Sequence, residues 1–381
     1  MFCINTNLPF HKNILVMSLL LSRLSRLCPG KPSLVGRSSY SLLFSNGFSS
    51  SLLQTAPGFV VRANPCGEGL GKLLFQKNTE SWFTHLEKKV PLELVDRDEL
   101  GTVGSCNGWV ATLKDDGILR LQDDLNPAAS HTHPKHIPLP PLVTLPHCQT
   151  QIITNVSMSS SSPEDEDCVV AVKFLGPQLS FCRPAQSKPE WTNVKIEDPY
   201  FFSSRVMFSK KDDMFRIPGS GGNLIGSWNP NKHKNNPKIQ RLQYQNLPKL
   251  TKIKRELLDL CWTSEHLVES RTTGETFLVK WFRKTSRRLA LMKTKALMVF
   301  KIDEEGNAVY TQDIGDLVIY ISKSEPFCIP ASSFPGLDRN SVQIVDVDEY
   351  GAIRLHDSSI FSHNIRFGAP YFIPPQNIDQ V

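Results

Sequence analysis

The chain has 381 residues, of which 40% are hydrophobic and 21% charged, with 43 Lys and Arg against 37 Asp and Glu. No run approaches the roughly 20 apolar residues of a membrane-spanning helix, which argues for a soluble product. Nine cysteines with no Cys-x-x-Cys pair argue against a disulfide or zinc framework and for buried thiols in a reducing compartment.

The charge is unevenly placed. Lys12, Arg23, Arg26, Lys31, Arg37 and Arg62 precede the first acidic residue, Glu68. Without these six the remaining 37 basic residues balance the 37 acidic ones, so the formal net charge of +6 belongs to the leader. Within it Met17 to Cys28 places Leu20, Leu24 and Leu27 on one helical face with Arg23 and Arg26 beside it. Two arginines interrupt the only candidate secretory core. Residues 1–60 therefore read as a disordered organellar transit peptide with a short amphipathic helix. Mitochondrion is the expected destination, with chloroplast or dual targeting as the alternative raised by Ser38, Ser39, Ser41, Ser45 and Ser49 to Ser51. Met17 is a second candidate start.

From residue 61 to 381 the pattern is that of strands. Short runs rich in Val, Ile, Phe, Trp and Leu recur at Gly108–Leu113, Ile118–Leu121, Cys168–Phe174, Gln178–Cys182, Val206–Phe208, Leu224–Trp228, Ile239–Tyr244, Thr276–Phe282, Ala296–Ile302, Leu317–Ile321, Val342–Val347 and Ala352–Leu355. Four turn tetrads end in glycine, at Gly117, Gly274, Gly306 and Gly351, each suited to a positive φ. Helical signal is thin, limited to a turn or two within Lys249–Leu260, and 27 prolines oppose long helices. The acidic segment Ser157–Asp167 reads as a loop unable to order itself, and Asn229–Lys238 as a basic surface insertion. At roughly 40 to 50 residues per four-stranded blade, an all-β propeller of about six or seven blades fits the length.

Val103 to Leu113 (Val-Gly-Ser-Cys-Asn-Gly-Trp-Val-Ala-Thr-Leu), Gly117 to Leu121, Asn126-Pro127 and Ile137 to Pro140 carry more than composition. In order and spacing they resemble the opening blade of a plant family known as the domain of unknown function 295, or KIB1-4 β-propeller family. Ala296 to Asp316 and Leu317 to Pro335 resemble its C-terminal portion, and the resemblance extends over about Leu74 to Tyr371. Many members carry an N-terminal F-box that docks them onto a ubiquitin ligase. No Leu-Pro-x-Asp-Leu-type helix precedes the propeller here, so the chain is similar to the organellar branch and no ubiquitin-ligase docking is expected. The resemblance implies a propeller in an organelle and transfers no catalytic residues.

Candidate chemistry is sparse. His131, His133, His136 and His147-Cys148 lack a second ligand cluster and read as a solvated loop, so no metal is expected. Gly219 to Gly222 is followed by a strand instead of a helix, which makes it a flexible hairpin tip and not a phosphate cradle. No Walker lysine, Gly-x-Ser-x-Gly elbow or His-Glu-x-x-His helix occurs, and no cofactor or catalytic residue is expected. Lys280, Trp281, Arg283, Lys284, Arg287 and Arg288 interleave cations with aromatics and are the candidate nucleic-acid-binding residues. The balanced charge of the mature chain weighs against them. The expected function is a non-catalytic organellar protein-interaction module with an unknown protein partner. The alternatives are organellar RNA binding through 280–295, an F-box-type substrate-recognition protein that has lost its F-box, and an enzyme with a site in the central channel.

Overall fold

In a computed structural model the described residues are 54–80, 82–95, 102–146, 148, 152–231, 237–286 and 290–377. The leader, apart from its last residues, lies outside them.

The strands assemble as six separate sheets of four or five strands, the blades of a six-bladed propeller. Blade 1 contains β1 (Gly58–Gly67), β2 (Leu70–Lys77) and β3 (Thr84–Pro91). Blade 2 is β4 (Thr102–Cys106), β5 (Trp109–Leu113), β6 (Ile118–Gln122) and β7 (His136–Pro141). Blade 3 is β8 (Ile153–Met158), β9 (Val170–Phe174), β10 (Gln178–Cys182) and β11 (Thr192–Lys195). Blade 4 is β12 (Met207–Ser209), β13 (Met214–Pro218), β14 (Leu224–Trp228) and β15 (Lys238–Arg241).

Blade 5 adds β16 (Gln243–Gln245) in parallel to the outer edge of β17 (Trp262–Glu269), β18 (Thr276–Thr285), β19 (Met292–Ile302) and β20 (Asn307–Thr311). Blade 6 is less regular. It orders β22 (Phe327–Pro330), β21 (Leu317–Ile321), β23 (Ser341–Asp346), β24 (Glu349–Arg354) and β25 (Ser359–His363), with β21 and β23 parallel. The last strand, β26 (Phe372–Ile373), returns to pair with β1, so blade 1 is built from both ends of the propeller and the ring closes without a free inner edge.

The strand sequences are explained by burial on both faces. In β18, Phe277, Val279 and Trp281 pack toward blade 6, while Leu278 packs toward blade 4 with Met207 and Ile225. In β9, Val170, Val172 and Phe174 face blade 2 and Ala171 faces blade 4. Six apolar clusters fill the six interfaces between neighbouring blades. A strand wedged between two blades has no wet face, so apolar residues run consecutively instead of alternating.

Some local expectations hold and others are corrected. The sparse helical signal becomes one α-helix, α1 (Lys252–Asp259), capped by the Thr251 hydroxyl and with no residue buried. The tetrads ending at Gly117, Gly274 and Gly306 do have positive φ at glycine. The fourth does not: Gly351 lies inside β24, where a Cβ would come 2.4 Å from the Phe361 carbonyl oxygen. That glycine serves a close strand approach and not a turn. Ser157–Asp167 is folded: Ser157 and Met158 end β8 fully buried, and Trp109 Nε1 and Asn107 Nδ2 donate to the Ser161 and Ser160 carbonyls. The Gly219–Gly222 tip is also held, through Gly221 N–H to Glu265 Oε1 and through Lys280 Nζ to the Gly221 carbonyl. In Asn229–Lys238 only 229–231 and 237–238 are described, and Lys238 begins β15.

Two lysines take positions that composition assigns to apolar residues. Lys173 in β9 is fully buried and donates to the carbonyls of Gly176 at 3.0 Å and Phe202 at 2.9 Å, and to that of Phe174. Lys88 in β3 is 1% exposed and donates to Asn126 O at 2.8 Å and Ala129 O at 3.2 Å. Each ammonium collects loop carbonyls that would otherwise be unpaired, which is what makes its burial tolerable.

Candidate functional site

The segment between β21 and β22 reaches the innermost strands of blades 2, 3 and 4. Glu325 there is half-buried and accepts hydrogen bonds from Cys106 Sγ of blade 2, Ser157 Oγ of blade 3 at 3.1 Å and the Phe208 amide of blade 4 at 2.9 Å. Its own amide donates to Ser105 O at 2.8 Å. One carboxyl group thus joins the innermost strands of three blades. Burial raises the Glu325 carboxyl above its ordinary range, and burial beside that carboxyl pushes the Cys106 thiol well up, so the sulfur remains a protonated donor.

Beyond this plug an open depression of about 770 Å³ is lined from all six blades. Phe372 of β26 contributes from blade 1, Asn107 from the β4–β5 turn and Ser160 and Asp167 from the β8–β9 loop. Lys210 and Asp213 come from the β12–β13 turn, Glu269 and Arg271 from the end of β17, and Phe327 and Phe334 from blade 6. These turns all follow innermost strands, and so the topology alone brings them to one mouth. The lining mixes both signs of charge with aromatic and proline surface. Glu269 is already engaged, accepting from the Ser209 hydroxyl and the Lys211 amide, and Arg271 donates to Asn107 Oδ1 at 3.3 Å. Among the described residues no group of three or more His, Cys, Asp and Glu is arranged to hold a metal ion.

The described residues of the candidate nucleic-acid stretch lie on β18 of blade 5. Lys280 lies 4.3 Å over the Tyr244 ring while holding the Gly221 carbonyl. Trp281 is 2% exposed, and its Nε1 donates to Thr294 Oγ1 at 2.8 Å. Arg283 stacks 4.3 Å over that same indole and pairs with Asp346 of blade 6. Lys284 is half-buried, and Arg287 and Arg288 lie outside the described residues. Three of the six residues are therefore joined in contacts between blades. His131 and His133 sit between β6 and β7, His136 opens β7 with its Nε2 at 2.6 Å from Asp124 Oδ2, and His147 lies outside the described residues.

A second surface was missed in the sequence. Ile253 and Leu257 of α1, with Leu260 and Trp262 just after it, are 62%, 42%, 66% and 70% exposed. Their i, i+4, i+7 spacing was the available signal.

The sequence matches the KIB1-4 β-propeller family over residues 77–364. No curated protein matches the chain. Among solved structures, a Lactobacillus plantarum protein aligns over 85% of this chain and 99% of its own, at 11% identity and a TM-score of 0.36. The dihydro-heme d1 dehydrogenase NirN in complex with DHE aligns over 97% of this chain and 86% of its own, at 11% identity and a TM-score of 0.30. BBS1N in complex with ARL6DN aligns over 82% and 93%, at 12% identity and a TM-score of 0.28.

Proposed function

The chain belongs to the KIB1-4 β-propeller family, and from that premise we propose that it is a non-catalytic interaction module that holds a protein partner in the axial depression and works in the mitochondrion. The observation that carries the reading is the depression's construction, with every blade contributing side chains to one mouth. Mixed charge beside Phe327, Phe334 and proline surface suits a polypeptide segment, which presents both polar backbone and apolar side chains. The acid-free leader supports the mitochondrial address. Engagement of Lys280, Trp281 and Arg283 within the fold supports this reading over RNA binding, because a stacking platform needs an open aromatic face.

Proximity labelling in isolated mitochondria tests the proposal, using the wild-type chain beside an Arg271→Glu, Lys210→Glu variant. The wild type enriches a defined set of proteins that the variant loses while retaining its melting temperature. Identical sets from both chains would sink the assignment of the depression. A reporter fused to the chain from Gln54 onward, which keeps β1, loses organellar import that the full chain retains. Import of the shortened fusion would remove the address.

A further inference from the structure

At the opposite ends of the same inner strands a different set of charges converges. β21 and β23 run parallel with Ile321 opposite Ile344, so Lys323, two places past the end of β21, emerges near Asp346, the last residue of β23, whose charge acts on it. The Asp346 carboxylate is paired with Arg283 of blade 5. From blade 4, Arg205 donates Nη1 to the Ser322 carbonyl at 2.6 Å, which brings it beside Lys323. Three blades thus bring three cations within electrostatic reach of one carboxylate, and the site is only partly open: the Arg283 and Asp346 side chains are 23% and 15% exposed.

The imbalance is felt by the groups themselves. Burial and the neighbouring Arg283 pull the Arg205 guanidinium down to about 10, and burial together with both arginines lowers the Lys323 ammonium. His266, 3% exposed in the adjoining part of β17, is held neutral by burial and by the same two guanidiniums. Its Nδ1 and the Arg283 Nε have no hydrogen-bond partner among the described residues. Two positive charges in excess of the one carboxylate, on partly buried side chains, favour an anion strongly, since screening by water is weak there.

We infer that Arg205, Arg283 and Lys323 form an anion-binding site at this end of the inner strands, and that its ligand is a phosphoryl dianion. The two excess charges match a dianion, whereas a single carboxylate would neutralise half of them. Two guanidiniums from different blades offer planar forks to separate oxygens, and the lysine adds a compact third donor. The site does not involve the axial depression and stands whether or not a partner binds there. The phosphoryl group comes either from a phosphorylated side chain of another protein or from a small phosphorylated molecule.

Titration calorimetry of the full chain with inorganic phosphate, and with a phosphoserine peptide beside its unmodified form, tests the site and separates the two sources. Saturable binding of phosphate is expected. Tighter binding of the phosphopeptide assigns the ligand to a modified protein, and equal or weaker peptide binding assigns it to a small molecule. Lys323→Ala weakens phosphate binding at least about tenfold, the loss of one charge-assisted hydrogen bond. In phosphate-free buffer the same variant melts no lower than wild type, because one repelling charge is gone. Absence of saturable binding by phosphate and phosphopeptide would overturn the inference. So would wild-type affinity in both Lys323→Ala and Arg205→Gln.

Discussion

Glu325 accepts the backbone N–H of Phe208 at 2.9 Å across 117 residues of chain. With its contacts to Cys106 and Ser157, this makes one side chain the common partner of blades 2, 3 and 4.

The first prediction concerns pH. Burial raises the folded carboxyl of Glu325 above its unfolded value, so the native state binds this proton more tightly than the unfolded chain does. Its contribution to stability is therefore present below about pH 4.5 and is lost as pH rises through the folded value, at up to about 1.4 kcal/mol per pH unit. Urea unfolding of wild type and Glu325→Gln, followed by tryptophan fluorescence from pH 4.5 to 7.5, should show that decline in the wild type alone. Parallel curves would count against it.

A second prediction concerns the joint between blades 5 and 6. Thr294 Oγ1 accepts from Trp281 Nε1 and donates to Glu349 Oε2 at 2.6 Å, and the Thr294 amide donates to the same oxygen at 2.8 Å. Thr294→Val keeps the volume but orphans the indole N–H and removes one donor to a carboxylate that is 1% exposed. A loss of about 2–4 kcal/mol is expected from the unpaired buried groups, read as a lower urea midpoint. Trp281→Phe, Thr294→Val together should cost less than the two single changes added, because the double variant removes both ends of one bond.

Ring closure supplies the third. Phe372 is fully buried, with its ring centroid 5.0 Å from that of Tyr320 and 5.8 Å from that of Phe59. Phe372→Ala leaves a cavity between blades 6 and 1 and should cost about 3–5 kcal/mol. Ending the chain at residue 371 also removes the pairing of β26 with β1. Native-state hydrogen exchange should then show blade 1 opening at lower free energy than the other blades. Uniform protection across all six would argue against closure by this strand.

The fourth is Lys173→Ala. The change removes the donor to three carbonyls and leaves a void at a fully buried site, for an expected loss of about 3–5 kcal/mol. Lys173→Met refills the volume but leaves the carbonyls unpaired, so it should recover part of the loss. Thermal melts of the three chains rank them, and equal melting temperatures would show the lysine to be dispensable.

Legibility in the sequence differed sharply from strand to strand. Gln178–Cys182, Leu224–Trp228 and Leu317–Ile321 were readable to the residue, because central strands buried on both faces carry uninterrupted apolar runs. Edge strands were not: His136–Pro141 and Ser359–His363 are exposed along much of their length, and their partners are chosen by the neighbouring strand. The two-residue β26 could not be read at all, since its only pairing partner lies more than 300 residues away in sequence.

The axial site was equally hidden. Glu325 reads as one more charged loop residue in Ser-Lys-Ser-Glu-Pro, and Cys106 as a scattered thiol. Lys323 carried no signal, because its significance comes from Arg205 and Arg283, which lie on other blades.

By itself the sequence determined the repeating strand-and-turn chemistry, the acid-free leader and the family pattern, because these depend on residues near one another in the chain. Blade number, closure by β26, the Glu325 plug and the convergence of three cations near Asp346 were decided by tertiary structure. In a radial fold the innermost strands of all blades meet at one axis, so residues far apart in sequence become neighbours there, and no local pattern records which ones.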